Sequence, residues 1–171
     1  MSLRIQTLKT EYAENPVGLD VPNPRLGWTM VSPHRGKKQS AYRIIVSSTR
    51  EQLDRHEGDL WDSGIVRSDA SHHVEYAGKP LQSGQICHWK VRVWDEQGAP
   101  SEWSEAAYWG MGLLSPREEW AAEWLDMPRD LAAEPELLRP AYLRRTFRLR
   151  SGIRRALVFA TALGDYALFL N

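Results

Sequence analysis

A chain of 171 residues with 22 Lys and Arg against 22 Asp and Glu carries no formal net charge, which argues against nucleic acid or an anionic membrane surface as its main partner, since either favours a basic excess. Its one cysteine, Cys87, excludes an internal disulfide and a cysteine-built zinc site, and no apolar run approaches the ~20 residues of a membrane helix. A chain of this length buries roughly 70% of its unfolded surface, so one full domain, or one and a half small ones, stands without covalent or metal staples.

The N-terminus, Met-Ser-Leu-Arg-Ile-Gln, has no basic segment leading into an apolar run, which sets a cytoplasmic location as the expectation for the chain as given. Leu3, Ile5 and Leu8 open a first strand running toward Tyr12. Residues 15–25 pack three prolines and a glycine together and read as an irregular loop. Leu26, Trp28 and Met30 alternate with polar or small residues as a second strand, stopped at Pro33. Residues 40–48 make a third, with Tyr42, Ile44 and Val46 on one face. Thr49 and Gln52 have capping-box spacing, which predicts one helical turn over 50–55. Leu60 and Trp61 lead into the turn Asp62-Ser63-Gly64, and 73–76 is a short strand ended by Gly78 and Pro80. Then Cys87, Trp89, Val91 and Val93 alternate with His88, Lys90, Arg92 and Trp94, the period of a strand with one buried face. A polar turn over 95–101 leads to a further strand holding Trp103 and Trp109.

About seven short strands in the first 110 or so residues, at this turn spacing and with no alternating helices, predict an all-β sandwich over 1–114. Ser115, Pro116 and Glu118 announce a short helix with Trp120 and Trp124 on one side. Residues 115–140 read as a linker, and 141–171 as the first strands of an incomplete second β-sandwich, at 142–149, 156–160 and 166–170. Three such strands cannot close a sandwich, so the chain reads as part of a longer protein.

Candidate chemistry is sparse. Glu102 and Glu105 bracket Trp103 without sharing a face, while Glu118, Glu119, Glu134 and Glu136 lie in a helix start and a connector, where acids favour the helix dipole or solvent. No catalytic residue is assigned. Adjacent His72 and His73 point to opposite faces, and His88 sits beside Lys90, a poor place for a cation, so no metal site is assigned and no cofactor is implied. Cys87 faces inward as a packing thiol, and Asp62-Ser63-Gly64 is a turn rather than part of a catalytic triad. Trp94 and Trp61 are the two carbohydrate-binding candidates, because sugar rings stack on exposed indoles; the alternative is that they pack against a neighbouring domain or the sandwich rim. Trp103, followed by Ser104 and opposite Lys90 and Arg92, predicts a cation–π ladder.

The first ~112 residues resemble a fibronectin type III domain, an immunoglobulin-like sandwich: Leu26-Gly27-Trp28 is similar to its second strand and Val91-Arg92-Val93 to its sixth. Cys87 stands where that domain usually has a tyrosine, so the usual tyrosine-corner hydrogen bond is absent or replaced. Across the whole chain, motifs in order resemble the N-terminal region of bacterial α-L-rhamnosidases. They are Asn15-Pro16-Val17-Gly18-Leu19-Asp20, Pro24-Arg25-Leu26-Gly27-Trp28, Gln39-Ser40-Ala41-Tyr42-Arg43-Ile44, Leu60-Trp61-Asp62-Ser63-Gly64, His88-Trp89-Lys90-Val91-Arg92-Val93-Trp94-Asp95, Trp109-Gly110-Met111-Gly112-Leu113-Leu114, Arg144-Arg145-Thr146-Phe147 and Gly164-Asp165-Tyr166-Ala167-Leu168-Phe169-Leu170-Asn171. The resemblance implies a parent glycosidase whose two inverting carboxylates lie in a downstream (α/α) barrel. This segment would be non-catalytic, with the downstream domains of the same polypeptide as its partners. The alternatives are a carbohydrate-binding module taking rhamnose-containing glycans through exposed tryptophans, and a protein-interaction module.

Overall fold

Two antiparallel sheets form where apolar and polar side chains alternate most strictly. The computed structural model describes residues 3–125, 142–149, 151–153 and 155–170. β1 (Arg4–Thr10), β2 (Arg25–Val31) and β5 (Val74–Glu75) form a three-stranded sheet in the order β1-β2-β5. β3 (Gln39–Ser47), β4 (Trp61–Asp62), β6 (Ile86–Asp95) and β7 (Ala107–Gly110) form the other in the order β4-β3-β6-β7. In a constant-type immunoglobulin domain the fourth strand joins the first sheet. Here β4 instead pairs with β3, at Ile45–Asp62 and Val46–Trp61, which gives the fibronectin type III-like arrangement of three strands facing four.

The inward faces make one core. Leu8, Leu26 and Trp28 from one sheet and Ile44, Val46, Trp89, Val91 and Trp109 from the other belong to a single buried cluster. Trp28 meets Tyr42 edge-on at 5.1 Å, and its indole N–H donates to the Gln39 side-chain oxygen at 2.9 Å. The Gln39 amide nitrogen in turn donates to the carbonyls of Ser68 and Ala70. A buried glutamine is thereby satisfied on both ends, as burial of an amide requires.

The tyrosine missing at position 87 has a substitute. Tyr76, only 2% exposed, comes from the end of β5 and donates its hydroxyl to the Lys79 carbonyl at 2.8 Å. Its ring packs edge-on against Trp61 at 5.5 Å and Trp109 at 5.8 Å. Gly78 makes this possible, because a Cβ there would fall 2.5 Å from both the Tyr76 hydroxyl and the Leu60 carbonyl.

The Pro-rich loop after β1 is not idle. β7 is an edge strand, and a bare edge invites pairing with another chain. The loop covers it: Tyr108 N–H donates to Asn15 Oδ1 at 2.9 Å, Gly110 N–H to the Pro16 carbonyl at 2.9 Å, and Leu19 N–H to the Gly110 carbonyl at 3.0 Å. Before the loop, Thr10 and Ala13 exchange both backbone hydrogen bonds around Glu11 and Tyr12, whose φ values are 46° and 67°. Asn-Gly or Asp-Gly is usual in such a left-handed two-residue turn; a glutamate and a tyrosine there cost about 1–2 kcal/mol each.

α1 (Arg50–Asp54) is capped by Thr49, whose hydroxyl accepts from Gln52 N–H, and packs on β3 and β6 with Leu53 fully buried. It covers part of the outward face of the four-stranded sheet, where Ile45 is also fully buried. The strand expected to hold both Trp103 and Trp109 is shorter than the alternation suggests, since β7 begins at Ala107. The predicted helix after Leu114 is the single turn α2 (Pro116–Glu119), with Trp120 already extended at φ −77°, ψ 101°. Trp124, 67% exposed, is not on it.

The chain divides into two units, Met1–Ala121 and Ala122–Asn171. In the second, the described residues at 142–149, 156–160 and 166–170 belong to no strand ladder, contrary to the expectation of three strands there. Alternation supplies an apolar face, but a ladder also needs a paired backbone. The connector expected over 128–140 lies outside the described residues.

Candidate functional site

The outward face of β3 and β6 sets like charges side by side. Arg43 and Arg92 are direct cross-strand partners, and Lys90 pairs with Ile45 two positions along, on the same face; like charges opposite one another are destabilising. Two devices relieve this. Asp62 holds Arg43 through two hydrogen bonds of 2.9 and 2.6 Å. Trp103 then lies against all three cations, with its ring centroid 4.9 Å from the Arg92 guanidinium carbon, 5.4 Å from Lys90 Nζ and 6.0 Å from the Arg43 guanidinium carbon. His56 stacks on the same indole at 5.4 Å, with 25° between the planes. Each cation–π contact is worth ~0.5–2 kcal/mol, less in sum because the cations repel one another.

Serine hydroxyls position the indole. Val91 N–H donates to Ser104 Oγ at 3.1 Å and Val93 N–H to Ser101 Oγ at 3.2 Å, while the Ser104 and Ser101 amides donate back to the Val91 and Val93 carbonyls. Side-chain oxygens thus replace part of the backbone ladder. This is why residues 101–106 follow β6 without forming a strand.

Lys90 is only 5% exposed, and burial lowers its pKa, with Asp54 opposing. Burial, followed by the charges of Lys90, Arg92 and Arg43, lowers the pKa of His56 as well. The roles of Arg43 and His56 on this face were not read from the sequence. Arg43 has a legible signal, its outward position in the third strand; His56 reaches the indole only through a left-handed backbone (φ 63°) just after α1.

The other candidate residues lie apart. Trp61 is half-buried against the core and packs on Tyr76. Trp94 is half-buried at the end of β6, its strand bridged to Pro100. His72 and His73 lie beside β2, their rings 4.9 Å apart, and His88 is 6.3 Å from Tyr108. Among the described residues no three His, Cys, Asp or Glu side chains converge as a metal site. Cys87 is fully buried, and that burial pushes its thiol up to about 12, an inert state. Ser63 Oγ accepts from Ile44 N–H and donates to the Gly64 carbonyl, as a turn residue. Glu102 and Glu105 are exposed, and Glu119 accepts from Ser83 Oγ and Ser115 N–H. Glu134 and Glu136 lie outside the described residues.

Residues 5–115 match the family described as Rha78A-like, N-terminal immunoglobulin domain. The chain belongs to that family. Its relatives include an alpha-L-rhamnosidase of Streptomyces avermitilis, 43% identical over 136 residues, and one of Formosa agariphila, 32% identical over 187 residues. These matches take in 80% and 99% of the chain but 13% and 20% of those proteins, so the chain spans a small part of their length. Among solved structures, the Streptomyces avermitilis alpha-L-rhamnosidase complexed with L-rhamnose matches with a TM-score of 0.72 at 44% identity, covering 76% of this chain and 12% of that one. The alpha-L-rhamnosidase from Dictyoglumus thermophilum matches with a TM-score of 0.69 at 35% identity, covering 72% and 14%. The cation stack and the sealed β7 edge thus both lie in the immunoglobulin domain of this family.

Proposed function

We propose that this domain is a non-catalytic accessory part of an α-L-rhamnosidase, packing against the catalytic domain and holding it in its working orientation. The observation that carries this reading is placement: residues 5–115 match the N-terminal immunoglobulin domain of the family, and the chain takes in only 13% and 20% of its alpha-L-rhamnosidase relatives. The direction of carboxylate acidity agrees with it. A glycosidase needs one carboxyl group held protonated by a raised pKa, facing a second across the scissile bond. Here Glu11, Glu57, Asp62, Asp95, Glu96 and Glu119 are all shifted downward, chiefly by hydrogen bonds to Arg25, Arg55, Arg43, Ala99, Lys37 and Ser83 respectively, with Glu96 brought to about 2. Such groups stay ionised and tether structure.

The test is a graft. The Streptomyces avermitilis relative would be prepared without its first domain, and again with this chain's 1–121 in that place. The expected results are no turnover of an aryl rhamnoside by the present chain alone, a lowered Tm for the truncated relative, and recovery of Tm in the graft. Turnover by the isolated chain, or a truncated relative as stable as the intact one, would overturn the proposal.

A further inference from the structure

The outer face of the three-stranded sheet carries a hollow of about 130 Å³ that neither the core nor the cation stack uses. It arises from register. Lys9 pairs across the strands with Gly27, and Thr7 with Thr29, so the row of outward side chains is interrupted by a residue that has none. One wall is the 71–73 segment, whose Ser71 carbonyl accepts the Trp28 N–H at 2.8 Å. The other wall is Tyr12 and Arg25.

Tyr12 is 63% exposed yet held in place. Its hydroxyl lies 2.8 Å from His73 Nε2, its ring meets that imidazole edge-on at 5.5 Å, and the Arg25 guanidinium carbon is 5.1 Å from its centroid. Arg25 is fixed in turn by Glu11, whose two carboxylate oxygens take its Nε and guanidinium N–H groups. Glu11, Tyr12 and His73 all have left-handed backbones, with φ of 46°, 67° and 57°. Strained backbone clusters at ligand sites, and here three such residues present one exposed aromatic ring.

Charge selects the ligand. Lys9 and Arg25 are balanced by Glu11 and by Glu75, the cross-strand partner of Arg25, so the surroundings favour neither an anion nor a cation. The hollow is smaller than the ~300–1,000 Å³ of sites for drug-sized ligands, which suits one ring rather than a chain. An aromatic face flanked by hydroxyls, an imidazole and an ammonium matches a ligand with an apolar C–H face and a rim of hydroxyls. We infer that this hollow binds a single neutral sugar ring, its C–H face on Tyr12 and its hydroxyls on Lys9, Thr7, Thr29 and His73. This inference goes beyond the accessory role, which assigns no ligand to the hollow.

The test is a titration of the 171-residue chain, followed by amide NMR, with L-rhamnose, D-glucose, D-galactose and D-glucuronate in turn. The expected result is saturable shifts at Lys9, Gly27 and His73 with at least one neutral sugar, at about millimolar Kd, and no tighter binding of glucuronate. In Gly27→Ala the new Cβ meets its nearest neighbour, His72 Cα, at an ordinary 3.4 Å; the fold is kept while the hollow is filled, so binding is lost. Tyr12→Ala weakens binding about tenfold and decides the matter should Gly27→Ala not fold. No saturable shift with any neutral sugar, tighter binding of glucuronate, shifts centred on Trp94, or unchanged affinity in the folded variants would each overturn the inference.

Discussion

Three cations and one imidazole share the Trp103 indole, and that crowding determines how the face responds to pH. His56 is held below its ordinary value by burial and by Lys90, Arg92 and Arg43, so the folded chain keeps it neutral where the unfolded chain, titrating near about 6.5, takes up a proton. Stability is therefore full above about pH 6.5 and is lost as pH falls through that value toward the lower folded pKa. Burial lowers the pKa of His88 too, with the same sign. His56→Gln is expected to flatten part of the acid limb of urea-derived stability between about pH 7 and about pH 5; an unchanged slope would leave His56 no part in that limb. Trp103→Ala is expected to cost about 2–4 kcal/mol, more at low salt, where the uncovered cations repel further. Urea unfolding at two ionic strengths measures both, and a loss under ~1 kcal/mol would reduce the stack to decoration. At this scale the alternation along β6 made Lys90, Arg92 and the nearby Trp103 legible. His56 was not legible, because a left-handed residue after a five-residue helix gives no periodic signal.

At the scale of elements, the edge strands explain what the loops do. Residues 15–19 read as irregular loop, yet the Asn15 side chain and the backbone groups of Pro16 and Leu19 complete the hydrogen bonding of β7. Asn15→Ala removes the acceptor of the Tyr108 N–H and leaves alanine at φ 49°. The expected loss is about 1–2 kcal/mol, with faster amide exchange at Tyr108 and Gly110; exchange rates matching the parent chain would show that the edge is sealed without Asn15. Strand existence was legible from alternation, as in β1, β2, β3 and β6. Strand extent was not, because the Ser101 and Ser104 hydroxyls take over bonds that a ladder would have made.

For the whole molecule, every member of the central cluster lies between Leu3 and Met111, with Leu114 packed against its edge. Residues 1–121 expressed alone are expected to keep the urea midpoint of the full chain within error. A clear fall in midpoint would place stabilising burial in 122–171.

By itself, the sequence determined the sandwich, because burying one face of a strand imposes a two-residue period that can be read without knowing the partner strand; the family was legible from the resemblance of its ordered motifs, not from that period. It also determined that Cys87 packs rather than reacts, since its place in that period puts it inside. Only the tertiary structure decided which strands meet. That brought Tyr76 into the tyrosine's role, His56 onto Trp103, and Tyr12 beside His73 over Gly27. Those contacts join residues from different elements through turns and non-periodic segments, and pairing between elements is set by packing in three dimensions, which no local period encodes.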